Sequence, residues 1–116
     1  ARRVSLAVKD RLQDTVLDAD LQRIVQALAG RSRYRYVQPL VQREGAGWKI
    51  VSPNCSRQID PEGGLIDIAW LCPSAGSWQV HARRHQPAQW EQVAQGLSLD
   101  EALAQVCLDP VGRFWP

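Results

Sequence analysis

The sequence predicts an α+β domain: an N-terminal helix, a four- or five-stranded antiparallel meander, and a C-terminal helix packed on one face of the sheet. Three observations carry this. Leu17, Leu21, Ile24, Val25 and Leu28 recur on one side of a 3.6-residue period, and from Arg31 the period falls to two. Two segments, Glu44-Gly45-Ala46-Gly47-Trp48 and Pro73-Ser74-Ala75-Gly76-Ser77-Trp78, repeat one device, in which turn-formers lead into a Trp that opens an apolar-alternating run. Ser98-Leu99-Asp100-Glu101 is a capping box ahead of an apolar helix face.

Taken in order, residues 2–9 fit a strand through Val4, Leu6 and Val8, or a helix turn through Val4, Val8 and Leu12. The helix over residues 17–29 has Asp18 or Asp20 to cap its start and to meet the positive end of its dipole. Gly30 stands where a left-handed C-terminal glycine belongs. A strand from Arg31 would turn Tyr34, Tyr36, Gln38 and Leu40 one way and Arg33, Arg35, Val37, Pro39 and Val41 the other. Pro39 lacks the ladder N–H, which places that strand at an edge or a bulge. Glu44-Gly45-Ala46-Gly47 turns the chain, and Trp48 to Ser52 returns.

Residues 53–64 are dense in Pro, Gly and polar side chains and form the longest loop, the kind of segment where sites sit on a rigid sheet. Leu65 to Cys72 reads as a third strand with Ile66, Ile68, Trp70 and Cys72 on one face, beneath Leu103 and Val106. Trp78 to Arg83 pairs with it, and Trp90 to Val93 adds a short fifth strand. In the last helix Leu99, Ala102, Leu103, Val106 and Cys107 supply the apolar face, ended by Asp109-Pro110. The tail Val111-Gly112-Arg113-Phe114-Trp115-Pro116 is too aromatic for water and should pack on the sheet.

The order Trp78-Gln79-Val80, Trp90, Leu97-Ser98-Leu99-Asp100-Glu101-Ala102-Leu103 and Asp109-Pro110-Val111-Gly112-Arg113-Phe114-Trp115 resembles the C-terminal half of a family of short bacterial proteins carrying a domain of unknown function. Members end in a similar Ser-Leu-acid-acid helix and a Gly-x-Phe-aromatic tail. Between the two Trp, several positions that are aromatic or basic in the family are Ala, His or Gln here. The resemblance implies the end of the fold and no activity, so it assigns no site residue.

The chain of 116 residues suits one α+β domain over residues 1–116, and 45% hydrophobic with 22% charged residues excludes wholesale disorder. Five Trp against one Phe favours sheet faces and half-open clefts, because indole combines a large apolar area with one N–H. Three cysteines without a CxxC spacing give no disulfide framework. The first ten residues interrupt their apolar stretch with charge, unlike a signal peptide, and no apolar run reaches membrane-spanning length. The expectation is a reduced, cytoplasmic protein that uses no cofactor or metal and no membrane.

Four constellations bear on function. His81 and His85 would share a helix face at metal-ligand spacing, but on a strand they lie about 13 Å apart, too far for one ion. Asp60, Glu62 and Asp67 gather carboxylates beside Gly63-Gly64, without the ligand ladder of a calcium loop. Cys55 neighbours Arg57, a cation that lowers a thiol pKa, although a Cys–His enzyme also needs an oriented histidine. The strongest signal is basic. Residues 31–57 carry a net +5, and Arg31, Arg33, Arg35, Arg43 and Arg57 form a candidate polyanion site. Twelve Arg against two Lys has a second source, since abundant Arg and Ala also follow from a GC-rich genome. The leading expectation is a non-catalytic binding or regulatory module with a protein partner. A nucleic-acid binder using the Arg-rich hairpin is the alternative, and a small Cys- or metal-dependent hydrolase comes third.

Overall fold

The stripe through Ile24 and Leu28 forms a helix, α1, over residues 19–29 of the computed structural model, which describes residues 19–54, 64–85 and 87–116. Residues 2–9 lie outside that set. Gly30 does not take the left-handed conformation expected of it. The helix instead tightens, with Gly30 N–H donating to Ala27 O at 3.1 Å and Arg31 N–H to Leu28 O at 3.2 Å. The Arg31 side chain satisfies the same end, its Nη1 donating to Leu28 O at 2.9 Å.

The strand expected from Arg31 does not form. Residues 31–39 are a loop, Tyr34 sits at φ 57, and β1 begins only at Leu40–Glu44. The alternation there is real in sequence but decides nothing. Arg31 is buried, and its Nη2 donates to the carbonyls of Tyr34 and Val37, which curls the backbone around the guanidinium.

Both expected hairpins form. Strand β2, Gly47–Pro53, returns against β1 through a two-residue Gly45-Ala46 turn, with Gly45 at φ 58. Gly47 has no alternative, because a Cβ there would stand 2.0 Å from the Leu71 carbonyl oxygen. Strands β3 (Leu65–Ser74) and β4 (Ser77–His85) meet at Ala75-Gly76, both with positive φ, the conformation that matches a twisted two-residue hairpin. Strand β5 (Ala88–Leu97) is longer than Trp90 to Val93 alone. The five strands form one antiparallel meander in chain order, β1-β2-β3-β4-β5.

Helix α2, Leu99–Leu108, starts with the full capping box: Glu101 N–H donates to Ser98 Oγ, and Ser98 N–H to Glu101 Oε1, each at 3.1 Å. Its buried face, Leu99, Ala102, Leu103, Val106 and Cys107, joins one core with Ile24 and Leu28 of α1 and with Trp48, Ile50, Ile68, Leu71 and Val80 of the sheet. Phe114 and Trp115 belong to that core too, as the aromatic tail requires.

One irregularity decides which Trp are covered. Ile50 pairs with Ala69 but Val51 with Asp67, so Ile68 is an extra residue in β3 and the alternation changes phase there. Ile66, Ile68, Ala69 and Leu71 are buried, whereas Trp70, expected beneath Leu103 and Val106, turns to the opposite face with Cys72.

Candidate functional site

The face of the sheet turned away from α2 carries a cluster of aromatic and charged side chains. Cross-strand register places it: Lys49 pairs with Trp70, Trp70 with His81, His81 with Gln92, and Arg83 with Trp90. The Trp70 ring lies between two others, its centroid 5.2 Å from that of His81 and 5.8 Å from that of Trp90. Its indole Nε1 donates to Glu44 O at 3.2 Å, which fixes the ring angle. The Arg83 guanidinium covers the Trp90 ring at 5.1 Å, a cation–π contact.

Asp67 organises the cations of this face, holding Lys49 Nζ at 3.5 Å and Arg83 Nε at 3.8 Å. Trp70, His81, Arg83 and Trp90 are all half-buried, keeping part of each group at the surface. Burial lowers the His81 pKa below its ordinary value, so the ring is neutral near pH 7 and stacks as an uncharged aromatic. His85 is lowered as well, by burial first and by Arg83 second, with Asp67 opposing. Both histidines lie on β4, so the strand geometry that separates them holds, and no group of three metal-ligating side chains occurs among the described residues.

Of the arginines singled out from sequence, the four within the described residues have different surroundings. Arg33 reaches back to the end of α2, its Nε donating to Asp109 O at 2.7 Å and lying 3.7 Å from the Asp109 carboxylate. Arg43 lies over the Trp48 ring at 5.0 Å. Arg31 is buried near the Trp115 ring and, with Arg35, lines a cleft between α1 and residues 37–41. Arg57, with Cys55, Asp60 and Glu62, lies outside the described residues. Asn54 N–H donates to Gly64 O at 2.8 Å. Cys72 and Cys107 are free thiols whose pKa burial raises, so neither is a ready thiolate; Arg31 opposes the shift at Cys107.

Sequence reasoning missed two things. Trp70 and Trp90 meet only because the bulge at Ile68 rotates Trp70 outward, and no local pattern announces that bulge. Asp109 is a second hub: its buried carboxylate accepts N–H bonds from Arg113 at 2.6 Å, Phe114 at 3.2 Å and Trp115 at 3.0 Å. Asp109-Pro110 was legible as a helix stop, while the returning tail that encloses the carboxylate was not.

A family model described as a domain of unknown function, DUF3024, matches residues 12–116. No curated protein and no solved structure matches the chain. Among the described residues no helix is long and apolar enough to cross a membrane.

Proposed function

Because the chain belongs to the family of that domain of unknown function (DUF3024), which prescribes no chemistry, we propose from the site itself that it is a binding module. Its ligand is a nucleic-acid single strand laid on the open face of the sheet. The observation that carries this is one face on which Trp70, His81 and Trp90 stand beside Lys49 and Arg83. Single strands need unstacked bases to find aromatic planes while phosphates find cations close by. A strand bearing Arg on one side and Tyr on the other fails that requirement. The open face meets it, since its rings and cations belong to neighbouring strands of the same surface.

The ion network supports the same reading. Asp67 holds Lys49 and Arg83 near the rings, Glu44 also reaching Lys49, and leaves about a fifth of each cation's side chain exposed. An incoming phosphate takes up these cations in place of part of the carboxylate's contact, so little side-chain ordering is left to pay for on binding.

The test is fluorescence anisotropy of labelled single-stranded DNA and RNA against duplex DNA, over a series of salt concentrations. Two phosphate contacts predict a slope of log K against log salt of about −1.4, from about −0.7 per contact on single strands. Trp90→Ala should weaken binding by about 1–3 kcal/mol, the range for one stacked base. Preference for duplex, or unchanged binding by Trp90→Ala, contradicts the assignment.

A further inference from the structure

A cleft lies apart from the sheet face and is lined by separate residues. Val25 and Leu28 of α1 stand across from Val37 and Leu40 over a cleft of about 530 Å³, within the size range of small-molecule sites. Val25 and Leu40 are 51% and 47% exposed, apolar surface that the fold leaves in water. Into this apolar cleft the chain places two like charges, Arg31 and Arg35. Arg31 is only 8% exposed, which is costly for an ion without a counter-charge.

Among the described residues its hydrogen-bond partners are all neutral. The guanidinium donates to the carbonyls of Leu28, Tyr34 and Val37 and lies 5.4 Å from the Trp115 ring centroid, while its Nε–H is buried with no acceptor. Among the described residues no carboxylate pairs with Arg31 or Arg35, and of these two only Arg31 is buried; Arg23, Arg33, Arg83 and Arg84 each have a carboxylate, while Arg43 and Arg113 have none. Burial lowers the Arg31 pKa, with Cys107 opposing the shift and Arg35 adding to it.

We propose that the cleft binds an amphipathic carboxylate, with an alkyl chain of about eight to twelve carbons along the apolar walls and its head group at Arg31 and Arg35. The anion supplies the charge that the protein withholds, and the chain covers Val25 and Leu40. Both halves of the ligand answer a feature of the cleft, which distinguishes it from a patch that is merely apolar.

The experiment is calorimetric titration of the full chain with straight-chain alkanoates from hexanoate to dodecanoate below their micelle concentrations, with alkylamines and alkanols of equal length alongside. Affinity for the alkanoates should rise by up to about fourfold per added methylene, and the alkylamines should bind far more weakly. Arg35→Gln should weaken alkanoate binding by about tenfold or more and leave alkanol binding unchanged. Val25→Asn, at an exposed helix position, should weaken both, with an intact amide spectrum showing that the fold persists. Amines binding as tightly as carboxylates, affinity independent of chain length, or Arg35→Gln without effect overturns the proposal. So does concentration-dependent self-association that covers Val25 and Leu40, which would assign the cleft to a second copy.

Discussion

Asp109 shows how one side chain can hold a chain end in place. Its carboxylate accepts three backbone N–H groups from the tail and faces Arg33, while its backbone closes α2 at φ 35. Trp115 is thereby seated, with its Nε1 donating to Val106 O at 2.9 Å and its ring 5.5 Å from that of Tyr34. Asp109→Ala would strand those donors and leave the Arg33 charge without its partner. It should cost about 3–5 kcal/mol in denaturant unfolding. Arg33→Gln, at a half-exposed position, should cost about 0–1 kcal/mol. Equal losses for the two variants would mean that the ion pair, and not the N–H nest, holds the tail. Gly47→Ala should be among the most damaging substitutions of β2, because the Leu71 carbonyl occupies the space of the new Cβ. The sequence marked Gly47 as a turn residue; its packing role depends on β3, a neighbour no local pattern can name.

At the scale of elements, the devices set by neighbouring residues were the legible ones. The two hairpins and the capping box each need only a few adjacent residues, and all three form where expected. Ser98→Ala should cost about 1 kcal/mol in the same unfolding assay, and an unchanged stability would show that the cap carries no load. Segment 31–39 misled because its alternation competes with one buried guanidinium that bonds three carbonyls along the chain. The third strand misled at one residue, since the bulge at Ile68 exchanges the two faces downstream of it. That exchange also created the candidate site. Trp70 beneath α2 would be ordinary core, whereas Trp70 on the open face completes the cluster with His81 and Trp90.

For the molecule as a whole, the fold divides labour between two faces. One is sealed by both helices and the tail, and the other presents rings and cations. The open face has a consequence for pH. His81 and His85 have folded-state pKa values below the ordinary 6.5, so the unfolded chain takes up protons first as pH falls. Their contribution to stability is complete above about 6.5 and is lost as pH drops through that value towards the lowered ones. The melting temperature should therefore fall between about pH 7.5 and pH 5, and a His81→Gln/His85→Gln variant should fall less. An equal drop in that variant would place the titrating groups elsewhere.

Binding of a single strand to the open face, as proposed above, is read out by amide chemical-shift mapping of the labelled chain titrated with a short single-stranded oligonucleotide at low salt. Shifts should concentrate at Lys49, Trp70, His81, Arg83 and Trp90, accompanied by the Trp70 and Trp90 indole N–H signals, and should fade as salt is raised. Shifts confined to the Arg31–Arg35 loop or to α2, or none at all, would contradict it.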